Sequence, residues 1–332
     1  MAAPLLQVED LTMHYATREG WVKAVDGVSF TLARGESLGL VGESGCGKTS
    51  AALCLLRVLP DNARILRGRM LLDGTDLGSL REEEVQQYRW RRIAMVFQAA
   101  MSSLNPVTRV GEQIVETIQA HERVSAEEAQ QRVAHLFQVV GLEPSLVERY
   151  PHELSGGMKQ RAVIAMALAC RPDVLIADEP TTALDVIVQH RVLQALQEVQ
   201  QRLGTAMVFI SHDIGIIARV CSRVAVMYAG KIVEMADTRE LFERPRHPYT
   251  RALIAAFPRL RGPKRELASL PGDPPDLVAP PRGCRFHPRC AYATAVCREQ
   301  EPRLEALEGA GAGHLAACWH PVVEAREDGG GG

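Results

Sequence analysis

The chain has 332 residues, of which 46% are hydrophobic and 23% are charged, so its composition is that of an ordinary globular protein. The formal net charge of −2 and the lack of a lysine or arginine block do not favour nucleic acid as a partner. Uncharged stretches such as 162–170 fall far short of the roughly 20 apolar residues of a membrane span, and the first residues lack an export signal, which predicts a cytosolic protein.

The first elements along the chain are predicted β-strands. Apolar and polar residues alternate over Gln7–Tyr15 and Lys23–Leu32, as they do in half-buried strands. The apolar run Leu38–Val41 is typical of a buried strand, and Ala51–Leu59 is an apolar segment typical of a buried helix. The residues between these last two elements therefore form a strand-to-helix turn.

This turn contains the stretch VGESGCGKTS, from Val41 to Ser50, which matches the pattern G-x-x-x-x-G-K-[ST]. Backbone N–H groups and the helix dipole at a helix N-terminus favour a bound anion. In this pattern the lysine reaches terminal phosphates and the hydroxyl that follows binds Mg²⁺. We therefore predict a nucleotide phosphate site, rather than a glycine turn with a surface lysine, made of Gly42, Ser44, Gly45, Cys46, Gly47, Lys48, Thr49 and Ser50.

The middle of the chain alternates between predicted strands and helices. Two further strands are predicted at Arg69–Leu72 and Ile93–Phe97, and a helical pattern covers Val107–Leu146. A strand, a helix and a strand then follow, at Val174–Ala177, Val186–Leu203 and Ala206–Ile210. This alternation predicts an α/β fold with a mostly parallel sheet, interrupted by one helical insertion.

The last third of the chain begins with a predicted hairpin and ends in a polar tail. The hairpin covers Arg223–Val233 and has Ala229 and Gly230 at its tip. The proline-rich segment Pro258–Gly283 is typical of an extended linker, and the closing Gly329–Gly332 is predicted to be disordered.

Two carboxylates follow the apolar strand Val174–Ala177 directly. A parallel strand delivers its carboxyl end to the ligand crevice, so we expect Asp178 and Glu179 to lie beside the phosphate loop. Asp178 is then a candidate ligand of Mg²⁺, directly or through water, and Glu179 is a candidate base for the water that attacks a γ-phosphate. The alternative is a strand that simply meets solvent with two acidic residues.

A second glycine-rich stretch, LSGGMKQ, precedes the apolar segment Ala162–Cys170. Ser155 is suited to cap a helix here, and Gly156 and Gly157 follow it. The stretch is either a second anion site at a helix N-terminus or a simple capped helix.

The eight cysteines fall into two groups of four. Isolated cysteines in the first 221 residues are typical small buried residues, although the thiol of Cys46 lies within the phosphate loop and its alkylation is expected to block ATP binding. The second group has the spacing C-x5-C-x6-C-x20-C, which leaves an iron–sulfur cluster, a zinc site with histidine ligands and unligated thiols all open. This group consists of Cys284, Cys290, Cys297 and Cys318, with His287, His314 and His320 nearby in sequence.

Taken together, the P-loop, LSGGMKQR and the Asp178-Glu179 pair resemble the motifs of ABC-type ATPases. Gln98 is similar to the Q-loop glutamine of that family, Ala183-Leu184-Asp185 to the D-loop, and His212 to the switch histidine. The resemblance implies that Gln98 contacts Mg²⁺ or the attacking water, and that His212 positions the γ-phosphate and that water. Tyr15 is similar to the aromatic residue that stacks on adenine. Without this resemblance, a lone histidine such as His212 is more often a core or surface residue than a catalytic one.

The resemblance implies a P-loop NTPase of the α/β class, with a RecA-like core, an N-terminal antiparallel β subdomain and a helical insertion. We expect the core to comprise residues 1–98 and 156–245, the insertion 99–155, and a cysteine-bearing extension 246–332. The resemblance also implies that two such ATPases close head to tail. ATP would then bind between Lys48 and Thr49 of one protomer and Ser155 and Gly157 of the other.

The C-terminal third resembles the extension of ATP-binding subunits of dipeptide and oligopeptide ABC importers, in the segments HPYTRAL and GCRFHPRC. The resemblance implies an ATPase at the cytoplasmic face of the membrane, a [4Fe–4S] cluster on the four cysteines, a second related ATPase subunit, two permease subunits and an extracytoplasmic solute-binding protein. Three alternatives stay open: an importer of nickel or another small solute, an ABC ATPase that acts on nucleic acid or ribosomes, and a non-enzymatic cluster-based regulator.

Overall fold

A computed structural model describes residues 3–98, 102–182, 184–256, 272–307, 311 and 313–322. Three sequence predictions fall wholly or partly outside these residues: the first half of the proline-rich linker, the C-terminal glycines 329–332, and Ala183 of the predicted D-loop. Within the described residues the strands form two sheets.

The smaller sheet is antiparallel and contains four strands of the described chain in the order β2-β1-β4-β5. Its long strands β1 and β2 are paired along their whole length, from Leu6 opposite Leu32 to Thr17 opposite Gly20. The strand bounds are β1 Leu6–Thr17, β2 Gly20–Leu32, β4 Ala63–Leu72 and β5 Thr75–Asp76.

The larger sheet has the strand order β11-β12-β10-β9-β3-β8-β7-β6 among the described residues. The five strands from β9 to β6 run parallel, and β10, β12 and β11 join them antiparallel. The strand bounds are β3 Ser37–Val41, β6 Ile93–Val96, β7 Val174–Asp178, β8 Ala206–Ser211, β9 Arg223–Tyr228, β10 Lys231–Asp237, β11 Glu305–Ala306 and β12 Leu315–Ala316.

Helices cover the larger sheet and form the insertion between β6 and β7. The helices are α1 Lys48–Leu56, α2 Glu82–Tyr88, α3 Val110–His121, α4 Ala126–Val139, α5 Gly156–Ala167, α6 Val186–Leu203, α7 Ile214–Val220, α8 Thr238–Glu243, α9 Pro248–Ala255 and α10 Ala295–Glu299. Short 3₁₀ turns lie at Pro144–Glu148, Pro151–Glu153 and His287–Arg289. None of the helices in the described ranges is long and apolar enough to span a membrane.

Buried strands of the larger sheet contribute side chains to two cores, one on each face. In β8, Val208 and Ile210 pack toward the antiparallel sheet, while Met207 and Phe209 pack toward the helices of the insertion. Successive side chains of a strand point to opposite faces, so a strand buried on both faces is apolar at every position. This explains the continuous apolar run that marks the parallel strands in the sequence.

The α/β fold class, the parallel sheet and the helical insertion are confirmed. The predicted hairpin is also present, because Ala229 and Gly230 both adopt positive φ between β9 and β10. Two predictions of extent were too short or shifted: β4 begins at Ala63 rather than Arg69, and α1 covers Lys48–Leu56 rather than Ala51–Leu59. Helix α5 begins at Gly156, directly after Ser155, the predicted cap.

The C-terminal extension continues the larger sheet, which the sequence did not predict. Its strand β12 pairs with β10, with Ala316 opposite Glu234. Glu234 is fully buried and accepts hydrogen bonds from the backbone N–H groups of Arg246 and His247 and from Nε2 of His314, at 2.6, 2.8 and 2.7 Å. One carboxylate therefore joins the extension to the sheet.

Candidate functional site

Most of the predicted nucleotide residues lie at one edge of the larger sheet. The phosphate loop follows β3, and His212 follows β8. Asp178 is the last residue of β7 and Glu179 is the next one, while Gln98 lies two residues after β6. These four strands are consecutive neighbours in the sheet and run parallel. Their carboxyl ends therefore meet at a single crevice, as expected for a ligand site of an open α/β sheet.

The phosphate loop needs glycine where other parts of the chain approach it closely. A Cβ atom at Gly42 would lie 2.1 Å from the carbonyl oxygen of Met227, and one at Gly47 would lie 2.0 Å from that of Ala24. Gly47 also has a φ of 104°, which disfavours residues with a side chain. Helix α1 begins at the next residue, Lys48, so the loop presents backbone N–H groups at a helix N-terminus.

Lys48 is buried, and its ammonium group is held by the loop itself. Its Nζ donates hydrogen bonds to the carbonyl oxygens of Gly42 and Glu43, at 2.8 and 3.0 Å, and lies 3.5 Å from Sγ of Cys46. An ammonium group held by two carbonyl oxygens can exchange these acceptors for phosphate oxygens. Burial raises the pKa of the Cys46 thiol, which favours its interpretation as a small buried residue.

Thr49 and Asp178 form a pair that fits a magnesium ion. The Thr49 hydroxyl donates a hydrogen bond of 2.8 Å to Oδ2 of Asp178, across 129 residues of sequence. Asp178 is 1% exposed, and its Oδ1 has no hydrogen-bond partner among the described residues. A buried carboxylate oxygen without a donor is unfavourable on its own, but hard cations such as Mg²⁺ prefer such oxygens. The residues present therefore suit Mg²⁺ at this position.

Glu179 has a positive backbone φ, and its side chain is held by contacts with two neighbouring side chains. Its φ is +45°, which is uncommon for a residue other than glycine and frequent at functional sites. Its Oε1 lies 2.9 Å from Nδ1 of His212, and its Oε2 accepts a hydrogen bond of 2.8 Å from the Thr182 hydroxyl. Burial alone would raise the pKa of this carboxyl, but the hydrogen bonds from His212 and Thr182 outweigh burial and hold the pKa below its ordinary value. The Glu179 side chain is therefore an ionised acceptor at neutral pH.

Gln98 contacts the Glu179 carboxylate, and Tyr15 contacts the first turn of α1. Nε2 of Gln98 donates to Oε2 of Glu179 at 3.4 Å, a long hydrogen bond at the point where the helical insertion begins. The hydroxyl of Tyr15 lies 3.1 Å from Oγ of Ser50, so the tyrosine stands beside the first turn of α1. Gln98 therefore reaches the Glu179 carboxylate and Tyr15 lies beside α1, while their predicted contacts with the nucleotide stay predictions.

The glycine-rich stretch before α5 is exposed and stands apart from the phosphate loop. Ser155 caps α5, because its hydroxyl accepts a hydrogen bond from the backbone N–H of Met158, and Ser155 and Gly156 face solvent. A Cβ atom at Gly157 would lie 2.1 Å from Cγ1 of Val188 on α6. Among the described residues, no hydrogen bond joins this stretch to the phosphate loop of the same chain.

Asp185 lies at the N-terminus of α6, close to the same surface. Its carboxylate accepts hydrogen bonds from the backbone N–H groups of Ile187 and Val188, at 3.0 and 2.9 Å. Val186 and Ile187 are 81% and 69% exposed. The surface around Asp185 therefore presents apolar side chains to solvent, as a surface that meets a partner does.

Sequence reasoning missed three residues of the site. Thr182, three residues after Glu179, orders that carboxylate. Tyr249 and Arg289 both contact Glu43 of the phosphate loop, although they lie more than 200 residues away in sequence. The segments HPYT and HPRC were noticeable in the sequence, but no local pattern pairs them with a phosphate loop.

The four C-terminal cysteines surround one small cavity. It is lined by Cys284, Cys290, Cys297 and Cys318, together with histidine and aromatic side chains, and its volume of about 10 Å³ has room for about one water molecule. The backbone N–H of Cys284 donates to the carbonyl of Cys297 at 2.8 Å, which fixes two of the four segments together. The four cysteines therefore lie around one cavity, although they are distant in sequence.

The geometry does not favour a single zinc ion in this cavity. Within the described ranges, no three His, Cys, Asp or Glu side chains are placed to hold one metal ion. His314, a candidate zinc ligand in the sequence, instead pairs with Glu234, while His287 and His320 line the cavity. Burial raises the pKa of the Cys284 thiol to about 11 and that of Cys318 to about 12, so these groups are neutral thiols without a metal.

Comparison with known families gives two matches along the chain. Residues 25–182 match the family described as ABC transporter, and residues 233–297 match the family described as oligopeptide/dipeptide transporter, C-terminal region. The first match includes the phosphate loop and Glu179, and the second includes the first three of the four cysteines.

Solved structures support the same fold. A bacterial ABC transporter cassette, MJ0796, solved as a dimer, superposes with a TM-score of 0.63 at 27% identity, over 70% of this chain and 99% of that one. A structure of MJ0796 bound to ADP and phosphate, in a post-hydrolysis state, superposes equally well.

Curated relatives match over nearly their full length. A probable peptide ABC transporter ATP-binding protein of Sinorhizobium fredii, y4tR, is 49% identical over 95% of this chain and 94% of its own. The oligopeptide transport ATP-binding protein OppD of Salmonella typhimurium is 44% identical over 96% and 95% of the two chains. The dipeptide transport ATP-binding protein DppD of Escherichia coli is 42% identical over 97% and 98%. The chain therefore belongs to the ABC transporter family, among the ATP-binding proteins with the oligopeptide/dipeptide transporter C-terminal region.

Proposed function

We propose that this protein is the ATP-hydrolysing subunit of an ABC importer of dipeptides or oligopeptides. The observation that carries the proposal is the constellation at one sheet edge, in which Lys48, Thr49, Asp178, Glu179 and His212 lie around the phosphate loop. The match of residues 233–297 to a C-terminal region of peptide transporters supports the substrate class.

In the proposed reaction, Glu179 is the general base. Its ionised carboxylate accepts a proton from water as the water oxygen bonds to the γ-phosphorus, and the bond from that phosphorus to the bridging oxygen breaks. ADP and inorganic phosphate are the products. His212 holds Glu179 before ATP binds and then positions the γ-phosphate and the water. Lys48 exchanges its two carbonyl acceptors for phosphate oxygens, and Mg²⁺ held by Thr49 and Asp178 neutralises phosphate charge when bound.

The active site is proposed to be completed by a second ATPase subunit. The Ser155 N-terminus of α5 is exposed and has no hydrogen bond to this chain's own phosphate loop among the described residues. A head-to-tail dimer would place that helix N-terminus against a triphosphate bound by the partner. We propose a related but distinct subunit as this partner, with Gly156, Gly157 and Asp185 at the interface.

The remaining partners follow from the importer role. Two permease subunits would contact the insertion, where Val107 is 80% exposed, and an extracytoplasmic solute-binding protein would deliver the peptide. The ATPase itself is peripheral, at the cytoplasmic face of the membrane. We propose the division into a core of residues 1–98 and 156–245, an insertion of 99–155 and an extension of 246–332.

Peptide uptake by the assembled transporter tests this proposal. Proteoliposomes that contain the permeases and both ATPase subunits, supplied with the solute-binding protein, are expected to accumulate labelled peptide only with MgATP. The variant Lys48→Ala should reduce uptake at least about a hundredfold, since it removes the cation that holds the phosphates. Uptake of nickel but not peptide, or binding of the chain to DNA or ribosomes without membrane association, would contradict the peptide assignment.

We further propose that the four cysteines hold a [4Fe–4S] cluster. They line one cavity, and their arrangement does not suit a single ion. Such clusters are bound by four cysteine thiolates. Burial raises the pKa of the Cys284, Cys290 and Cys318 thiols while they are unligated, so cluster binding would release their protons.

Metal analysis after anaerobic purification checks the cluster. We expect about four iron and four sulfide ions per chain and little zinc. The variant Cys290→Ser should lower the iron content several-fold, since it removes one of the four ligands. Cys170→Ala, at a buried cysteine of the ATPase core, should leave the iron content unchanged. Stoichiometric zinc in the wild-type protein would overturn the assignment.

A further inference from the structure

Glu43, the second residue of the phosphate loop motif, is held by side chains from beyond residue 245. The guanidinium of Arg289 donates to both oxygens of its carboxylate, at 2.7 and 3.0 Å. The backbone N–H of Glu43 donates to the hydroxyl of Tyr249 at 2.9 Å. Two-point pairing of a guanidinium with a carboxylate is both strong and directional. The C-terminal extension therefore holds one residue of the loop at its side chain and at its backbone.

Arg289 is itself firmly placed. Its side chain is 6% exposed, donates a hydrogen bond of 3.3 Å to the hydroxyl of Tyr228, and lies 5.8 Å from the centre of the Tyr228 ring. It ends the 3₁₀ turn His287–Arg289, and the next residue is Cys290. The same turn therefore fixes the position of one of the four cysteines and the position of the guanidinium that holds Glu43.

Glu43 is connected in turn to Lys48. The carbonyl oxygen of Glu43 accepts a hydrogen bond of 3.0 Å from Nζ of Lys48, and the carbonyl of Gly42 accepts another at 2.8 Å. Arg289 is therefore connected to Lys48 through Glu43 alone: Arg289 pairs with the Glu43 carboxylate, and the Glu43 carbonyl accepts a hydrogen bond from Lys48. A shift of Glu43 would move the carbonyl that orients Lys48.

A second arginine of the extension, Arg285, contacts the residue that precedes Gly230, and Gly230 is hydrogen-bonded to the phosphate loop. Arg285 follows Cys284, is buried, and donates hydrogen bonds to Asp26 and to the carbonyl of Ala229. The next residue, Gly230, donates its N–H to the carbonyl of Cys46 at 2.9 Å, inside the phosphate loop. Two of the four cysteines are thus adjacent to an arginine that contacts the loop or its neighbour.

We propose that Arg289 is a positioning residue for ATP binding, which acts by holding and neutralising Glu43 in the phosphate loop. The carboxylate of Glu43 carries a negative charge within a loop that binds a triphosphate, and like charges there oppose binding. Arg289 neutralises this charge and fixes the backbone that orients Lys48. The four-cysteine turn and the nucleotide site are therefore coupled, so that a change in one alters the affinity of the other. This inference rests on the proposed function, because it requires that the loop bind MgATP.

A double-mutant cycle on the full-length chain tests the coupling. The affinity for a fluorescent MgATP analogue is measured for wild type, Arg289→Gln, Glu43→Gln and the double variant. Arg289→Gln is expected to weaken binding about five- to twentyfold, since it leaves the Glu43 charge without a partner. Glu43→Gln removes the charge as well, so we expect the double variant to bind about as well as Glu43→Gln alone. In the assembled transporter, Arg289→Gln should raise KM for ATP by a similar factor with little change in kcat.

Arg298→Gln is the matched control. Arg298 is likewise adjacent to a cysteine, Cys297, but it is exposed, and its substitution should leave the affinity unchanged. Should Arg289→Gln fold poorly, Arg289→Lys, which keeps the charge and loses the two-point pairing, is expected to bind MgATP with intermediate affinity.

Hydrogen exchange provides a readout that does not depend on affinity. MgATP should slow backbone exchange in residues 284–290 of the wild type and have little effect there in Glu43→Gln, where the ion pair is absent. Equal affinity of Arg289→Gln and wild type, or a double variant whose defect is the sum of the two single defects, would overturn the inference. A wild type that does not bind MgATP would instead overturn the proposed function.

Discussion

The variant Glu179→Gln is expected to lower the ATPase kcat of the assembled transporter by about a hundredfold or more, while the affinity for MgATP stays close to that of the wild type. Loss of a positioned general base typically costs two to four orders of magnitude. Glutamine keeps the size of the side chain and one oxygen that can accept a hydrogen bond from His212, while its amide NH₂ can donate to the Thr182 hydroxyl. The measurement is steady-state phosphate release together with equilibrium nucleotide binding.

The half-buried Glu198 on α6, away from the phosphate loop, provides a matched control for this substitution. Its carboxylate pairs with surface partners, Arg202 at 3.6 Å and Gln194 at 3.3 Å, so Glu198→Gln should change neither kcat nor affinity. Thermal unfolding of both variants should resemble that of the wild type. Hydrolysis by Glu179→Gln at the wild-type rate would remove Glu179 from the role of base.

The nucleotide site could be predicted from the sequence because each of its parts is local. The phosphate loop is one strand-to-helix turn, and the carboxylates Asp178 and Glu179 are attached directly to a buried strand. Parallel strands then bring such short segments to one edge of the sheet without further information. The Thr49 to Asp178 hydrogen bond spans 129 residues, and the parallel order β3-β8-β7 brings both residues to the same edge.

The contacts of the extension could not be predicted in this way. Arg289 and Glu43 are separated by 246 residues, and neither a periodic pattern nor strand order indicates that an arginine in a short 3₁₀ turn reaches the phosphate loop. The pairing of β12 with β10 was missed for a related reason, since β12 has only two residues and shows no alternation. Side-chain partners that depend on packing of irregular segments require the structure.

The cysteine cavity illustrates the same limit. The spacing C-x5-C-x6-C-x20-C identified four thiols without indicating that they share one site. In the structure they surround a single cavity, because the Cys284 and Cys297 segments are joined through a backbone hydrogen bond and the Cys318 segment follows β12. The sheet and the turns that hold these segments therefore bring the four cysteines together, and the spacing of the cysteines alone does not predict this.

A similarly large effect is expected for Ser155→Asp. Aspartate is as good a helix cap as serine, so α5 should remain stable. In the proposed head-to-tail dimer, however, the new carboxylate would face a triphosphate. Two unit charges of the same sign about 4 Å apart repel by about 4 kcal/mol at an effective dielectric constant of 20. We therefore expect the ATPase rate of the assembled transporter to fall at least about a hundredfold.

The neutral variant Ser155→Asn separates charge from shape, because asparagine also caps helices and has nearly the size of aspartate. It should retain a rate within about tenfold of the wild type. The isolated Ser155→Asp subunit should bind MgATP normally, since its own phosphate loop is intact, whereas Lys48→Ala should lose binding even in isolation. These two residues would thus act on the same nucleotide from opposite protomers. If Ser155→Asp weakened nucleotide binding by the isolated subunit as much as Lys48→Ala, the exposed helix N-terminus would belong to its own chain's site, and hydrolysis would not depend on closure of two subunits.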